Sequence, residues 1–424
     1  MPSETGTLAT APESAVPPIP IEKLEATVAS ILAATEVIDV HTHLFAPAFG
    51  NLVLWGIDEL LTYHYLEAEL FRFSNVKPEQ YWSLNKIQRA DLVWKTLFVE
   101  NSPLSEATRG VIAVLQALGL STSTASLQPI REFYREQNLE DHLSRVFRLA
   151  GIRSVVMTND PLDPEEESLW RGDIQRDARF HAALRLDRML NDPTEERSEI
   201  EARRLLEGWA RRLQPVYMAV SLPDSFQFPT DDLRTKLLTG AVIPACRDWN
   251  IPLALMIGVR RQVNPAIRLA GDALGRADLR AVESLCRDYP ENRFLVSVLS
   301  RENQHELCVF ARKFSNLMPF GCWWFLNNPS IVEEVTRERL EMLGASFIPQ
   351  HSDARILEQL IYKWRNTRRT VAPLLAERYQ LLIEDGRPVT RAEIERDIHR
   401  LFRGNFERTA NLDHSYSRSV PIST

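Results

Sequence analysis

Residues 37–44 read Val37-Ile38-Asp39-Val40-His41-Thr42-His43-Leu44. A short run rich in Val and Ile that ends in two histidines one residue apart reads as a β-strand with polar chemistry at its C-terminal end. Alternate residues of a strand share a face, so His41 and His43 are expected to project together. Two neutral imidazoles on one face suit a single divalent ion such as Zn, Fe, Ni or Mn. Two solvated histidines following a strand would give the same short pattern, so the rest of the chain has to decide between the readings.

Seven further runs have strand character: Ser154–Met157, Ala178–Leu184, Val216–Val220, Leu253–Ile257, Phe294–Val298, Asn316–Phe320 and Ala345–Ile348. From the second run onward they alternate with segments able to hold helices, among them Glu195–Leu213, Ala277–Tyr289 and Ser330–Leu343. The last of these has Asn328 as N-cap, Pro329 at the first helical position and Gly344 as its stop. Strand–helix alternation implies βαβ units and a parallel sheet, and eight units fit a closed (β/α)8 TIM barrel. A doubly wound open sheet fits the same periodicity. Between the first and second runs lie only helical patterns (Asp58–Phe73, Pro78–Phe98, Ser105–Leu118, Pro129–Gln137), a helical insertion after strand 1 spanning about residues 55–150. Residues 1–20 read as a flexible leader, 21–410 as one barrel domain and 411–424 as a polar tail.

In a barrel the polar residues at strand C-termini carry the chemistry. The last run continues Gln350-His351-Ser352-Asp353-Ala354-Arg355. If the barrel closes, strand 8 abuts strand 1 and Asp353 comes beside His41 and His43, where a carboxylate can ligate a metal or act as a general base. Arg355 follows at a spacing that suits a carboxylate or a developing enediolate. His181, His351 and the Arg260-Arg261 pair are polar residues near other strands. Core packing for the histidines and a solvated face for the arginine pair are the simpler accounts.

Composition narrows the function classes. The 424 residues are 44% hydrophobic and 25% charged, with a net charge of −7. That balance fits a globular fold and disfavours nucleic-acid or anionic-membrane partners. Four scattered cysteines without a CxxC spacing read as reduced thiols, and no secretory signal or apolar run of ~18 residues is visible, so the cytoplasm is the expected location. The basic residues are 43 arginines and only seven lysines.

The HxH after strand 1 and the Asp after strand 8 resemble the amidohydrolase superfamily, and several further motifs narrow the resemblance to uronate isomerases. His64-Tyr65 resembles that family's His-Tyr pair about twenty residues beyond the HxH, and Thr158-Asn159-Asp160-Pro161 its TTDDP after strand 2. Leu184-Arg185-Leu186-Asp187 is similar to [WF]RPD after strand 3. Gly321-Cys322-Trp323-Trp324-Phe325 matches GCWWF, and Ser352-Asp353-Ala354-Arg355 resembles DSR. The resemblance spans about residues 35–400. No lysine stands between Lys95 and Lys236, and strands 5 and 6 lack histidine, so the bridging lysine and the further histidines that a two-metal centre of other superfamily members needs are missing here.

The resemblance implies metal-dependent interconversion of hexuronates through a cis-enediolate: D-glucuronate to D-fructuronate and D-galacturonate to D-tagaturonate. It implies one divalent ion, zinc first and Mn, Fe or Ni as alternatives, on His41, His43 and Asp353. Asp353, Arg355, His64 and Tyr65 would be catalytic, and Arg185, Trp323 and Asp160 would bind the sugar acid. A homo-oligomer is implied as well. The chain departs from the family at the strand 5 histidine, which is Met256 here, at the strand 4 turn Ser221-Leu222-Pro223-Asp224, and at HYKWR, which is HYLEA. A mononuclear metal-dependent hydrolase or lyase acting on another acid sugar or small carboxylate is the alternative, although such hydrolases use the strand 5 histidine.

Overall fold

A computed structural model describes residues 17–412 apart from 161, 173 and 193–197. Of the expected leader and tail, only 17–20 and 411–412 fall among the described residues. Seven parallel strands follow one another around the sheet in chain order. They are β1 Val37–Thr42, β2 Ile152–Asn159, β3 Phe180–Arg185, β4 Tyr217–Pro223, β5 Leu253–Arg260, β6 Phe294–Val298 and β7 Leu317–Pro319. A two-residue arm, Ala273–Leu274, pairs antiparallel with the end of β5.

The expected eighth strand, Ala345–Ile348, is not a regular strand. It makes one parallel bridge, Phe320 to Ile348, with Ile348 N–H donating to Pro319 O (3.0 Å) and Gly321 N–H donating to Ile348 O (2.9 Å). Pro349 has no N–H to continue a ladder. The Asn405 side-chain amide substitutes for a neighbouring strand by donating to Ala345 O (2.8 Å) and Phe347 O (2.7 Å). Beyond the proline the chain meets β1, where Asp353 N–H donates to His41 O (3.1 Å) and His43 N–H donates to Ala354 O (2.7 Å). Those bonds close the barrel.

Strand alternation sorts the side chains into two buried layers. Ile38, Val40, Val156, Ala183, Ala219, Met256, Leu295, Phe320 and Ile348 fill the barrel interior. The opposite faces of the same strands, such as Leu253, Leu255 and Val296, join the surrounding helices in one core.

Local signals set the helix ends. Ser198 and Glu201 form a capping box that starts Glu199–Leu213, four residues later than the sequence pattern suggests. Asn328 accepts from Ile331 N–H at the start of Pro329–Leu343, which ends at Gly344 with φ +59°. The insertion after β1 runs from Ile57–Leu61 through His64–Phe73, Pro78–Ser83, Lys86–Trp94, Glu106–Leu118 and Gln128–Arg135 to Leu139–Ala150. A 26-residue helix, Gln359–Glu384, begins four residues after Arg355 and packs against Ile21–Ala34, Glu106–Leu118, Leu139–Ala150 and Pro329–Leu343. Its Trp364 is fully buried, a contribution of about 3 kcal/mol from apolar transfer alone. Among the described residues no helix is long and apolar enough to cross a membrane.

Candidate active site

Simple alternation carried forward from Ile38 and Val40, which point into the barrel, would turn His41 and His43 outward. The β1–β2 register shifts between Asp39 and Thr42, and this irregularity reverses the parity. Asp39 points out toward the helix layer, where its carboxylate accepts from Ser352 N–H (3.0 Å) and Trp364 Nε1–H (2.8 Å). Burial holds Asp39 up at a pKa of about 6 despite these donors. His41 and His43 then face the last segment, with Nε2 atoms 3.6 and 3.2 Å from Asp353 Oδ1. The ligand atoms of these three residues all lie within 4.8 Å of one another.

This group has the chemistry of a cation site. Burial pushes His41 down to about 3 and His43 well below its ordinary value, so both rings are neutral at physiological pH. Asp353 Oδ1 is buried and accepts no hydrogen bond. An orphaned carboxylate oxygen among neutral imidazole nitrogens is costly unless a positive ion satisfies it. Two nitrogens and one oxygen suit a borderline divalent ion and leave positions open for substrate or water. The far sides of the rings are also engaged, His41 Nδ1 with Tyr217 Oη (3.2 Å) and His43 Nδ1 with Thr158 Oγ1 (3.0 Å). Met256, where the resemblance led to the expectation of a strand 5 histidine, belongs to the apolar interior and is 1% exposed.

A cavity of about 540 Å3 opens between the ends of β2, β3, β4 and β5, with Asp160, Arg185, Asp187, Ser221 and Arg261 in its wall. Arg185 Nη2 donates to Asp187 Oδ1 at 2.9 Å, and the carboxylates of Asp187, Asp160 and Asp353 keep its guanidinium firmly charged against burial. The same positive charge is among the causes that hold His41 and His43 low. Asp160 accepts from Leu162 N–H (3.0 Å) and pairs with Arg188 (3.2 Å), and burial raises its pKa. Arg261 is held by the buried Asp272 and lies over the Trp324 ring, 5.7 Å from its centroid.

On the insertion side, Tyr63, His64 and Tyr65 form an aromatic cluster with ring centroids 4.2, 4.9 and 4.7 Å apart. His64 Nε2 and Tyr65 Oη are buried without hydrogen-bond partners. Burial, with Arg355 second, lowers His64 to about 3, while Asp353 acts in the opposite direction. Arg355 is also the second cause lowering His43, so His64, His43, Asp353 and Arg355 share one electrostatic environment. Trp323 is 4% exposed and packs with the interior layer. His181 lines a separate cavity of about 160 Å3 with Phe49 and Trp170. His142, with no role assigned from the sequence, is a buried partner of Glu358 (2.8 Å).

Three side chains around this group went unassigned in the sequence reading. Tyr63 precedes the His-Tyr pair by one residue, and no motif singles it out. Tyr217 opens β4 as one of several apolar residues, and its contact with His41 crosses the barrel. His351 is wholly buried, with its ring centroid 5.1 Å from that of His41 and neither ring nitrogen bonded. Its spacing two before Asp353 is the only sequence signal it carries.

The chain is similar to solved structures of uronate isomerases. The enzyme from Bacillus halodurans C-125 is 48% identical, with 93% of this chain and 97% of that chain covered at a TM-score of 0.91. A glucuronate isomerase from Caulobacter crescentus (15% identity, 98% and 100% covered, TM-score 0.72) and a uronate isomerase from Thermotoga maritima (15%, 91% and 97%, TM-score 0.69) share the fold. Neither a family model nor a curated relative matches. Nearly half of the residues are shared with the Bacillus halodurans enzyme over almost the full length of both chains, and the chain belongs to the uronate isomerase family.

Proposed function

We propose that this protein is a metal-dependent aldose–ketose isomerase of hexuronates, interconverting D-glucuronate with D-fructuronate and D-galacturonate with D-tagaturonate. The observation that carries the reading is the convergence of Asp353 Oδ1 with the Nε2 atoms of His41 and His43, within the electrostatic reach of the Arg185 guanidinium. A sugar acid needs both features: a cation site for the oxygens at C1 and C2, and a guanidinium fork for the distant carboxylate.

His41, His43 and Asp353 would hold the divalent ion, zinc by the softness of two imidazoles, and the ion would supply Lewis-acid polarisation of the substrate oxygens. Arg185, kept in place by Asp187, binds the C6 carboxylate and sets the sugar's orientation in the cavity. Asp160, paired with Arg188, shapes the same wall, and Trp323 packs behind the sugar. Asp353 takes the proton from C2 and returns it to C1, so the C2 hydroxyl becomes the ketone and the C1 aldehyde becomes the alcohol with no change in overall composition. Arg355 faces the negative charge that develops on the enediolate oxygens between the two transfers. His64 and Tyr65, whose Nε2 and Oη have no protein partner, are the groups available to give and take the oxygen-bound protons.

The test is proton NMR in D2O of purified, zinc-loaded protein with each hexuronate. Ketose formation with deuterium incorporated at C1 or C2 is expected. No turnover of either sugar by protein with metal bound would overturn the reading.

A further inference from the structure

The hydrogens around His41 and His43 can be assigned from hydrogen-bond direction alone. A carbonyl oxygen only accepts, so the Tyr217 hydroxyl, 2.8 Å from Val40 O, spends its one hydrogen there. Its contact with His41 Nδ1 at 3.2 Å then requires the hydrogen to be on the nitrogen. The same logic applies to Thr158. Its hydroxyl donates to Thr42 O at 3.1 Å, so His43 Nδ1, 3.0 Å away, is the donor in that pair. With its hydrogen on Nδ1, an imidazole that binds an ion does so through the lone pair on Nε2. Both Nε2 atoms face Asp353 Oδ1.

The arrangement occurs twice. In each case a hydroxyl from another strand, Tyr217 on β4 or Thr158 on β2, binds the carbonyl of the residue before the histidine and the imidazole of the histidine itself. Ring and backbone are thereby tied to one oxygen, which sets tautomer and ring orientation together. Tyr217 and its partner His41 are both nearly inaccessible to solvent, so water does not offer competing hydrogen bonds.

We propose that Tyr217 and Thr158 are positioning residues for the metal centre: their hydroxyls lock His41 and His43 in the Nδ1–H tautomer and pre-aim both Nε2 lone pairs. Neither hydroxyl is itself a ligand. The assignment rests on the metal reading above only for its consequence, since the tautomers are set by the protein whether or not an ion is present. Partners of this kind typically contribute 10- to 100-fold to metal affinity.

The experiment has two arms. Long-range proton–nitrogen correlation spectra of metal-free wild type should show His41 and His43 with hydrogen on Nδ1 and a bare Nε2. Thr158→Val should return His43 to a mixture of tautomers, and Tyr217→Phe should do so for His41. Zinc affinity, measured by competition with a chromophoric chelator at fixed pH, should fall about 10- to 100-fold in each of these variants. Thr158→Ser, which keeps the hydroxyl, should restore it to within about threefold of wild type, a recovery that loss of packing would not predict. Hydrogen on Nε2 of both histidines in wild type, or wild-type zinc affinity in folded Thr158→Val and Tyr217→Phe, would overturn the lock. Wild type that shows the expected tautomers but binds no zinc would instead sink the metal reading and leave the lock standing.

Discussion

Asp353 Oδ1 lies 3.2 Å from His43 Nε2 across the seam where the last segment of the barrel meets β1. The contact depends on an unusual backbone: Asp353 has φ +52°, a left-handed conformation that costs a non-glycine residue about 1 kcal/mol or more. Neighbouring bonds hold it there. Asp353 N–H donates to His41 O, Ser352 N–H to the Asp39 carboxylate, and Ala354 N–H to Ser352 Oγ. The carboxylate is therefore aimed by β1, the strand that carries both histidines.

Replacing Asp353 with Asn keeps the shape and the left-handed tolerance while removing the charge and the base. Turnover should fall by about 10²- to 10⁴-fold with the circular dichroism spectrum unchanged, and zinc affinity should fall with it. Near-wild-type rates in the folded variant would exclude Asp353 as the proton carrier.

Arg185 separates recognition of the acid from recognition of the sugar. Arg185→Ala should raise KM for a hexuronate roughly 10- to 100-fold, the value of a charged hydrogen-bonded pair, and change KM for a neutral aldose little. Steady-state kinetics on both substrates decide the matter, and equal effects would remove Arg185 from carboxylate binding.

Gly321 opens the GCWWF stretch at φ +69°, and a Cβ there would stand 2.0 Å from His351 Cδ2. Gly321→Ala should destabilise the protein by about 2–4 kcal/mol through the left-handed backbone and the clash together. Removing the ring in a Gly321→Ala/His351→Ala double variant relieves the clash, so denaturant melts should show a combined loss at least about 1 kcal/mol smaller than the sum of the single losses.

His351 also gives a pH signature. Burial holds its folded pKa well below the ordinary 6.5, with neighbouring His41 adding to the effect. The folded state resists a proton that the unfolded chain accepts, so the stability this group contributes is present above pH 6.5 and is lost as the pH falls below it. His351→Leu removes that liability along with two unpartnered nitrogens. Against wild type, the variant should gain up to about 2 kcal/mol between pH 7 and pH 4.5 in the metal-free protein. Chemical denaturation at the two pH values measures the gap, and an unchanged gap would mean that the ring is not held neutral.

Much of the fold is legible locally. The apolar runs of β1 to β7 have the period of strands, and Asn328 and Gly344 bracket their helix within a turn of where the sequence puts it. The meeting of His41, His43 and Asp353 follows from one topological step, since eight parallel units in chain order bring the last beside the first. Signals of this kind reach only a few residues along the chain, or depend only on the order of elements.

What required the tertiary structure is whatever register and cross-barrel distance decide. Alternation from Ile38 and Val40 puts the two histidines on the wrong face, and only the slip between β1 and β2 turns them inward. Tyr217 reads as one more large residue in a strand until β4 brings its hydroxyl to His41. Gly321 is only the first residue of the GCWWF match until His351 occupies the space a side chain would need. Asn405 reads as a polar residue near the C-terminal end of the chain until its amide serves the segment that fails to become an eighth strand. The sequence alone determined the element order and the identity of the chemical groups, because periodicity and capping are short-range. Which face each group presents, and which hydrogen each histidine keeps, was decided only when distant strands were packed, because hydrogen bonds and steric contacts act over a few ångströms of space and not along the chain.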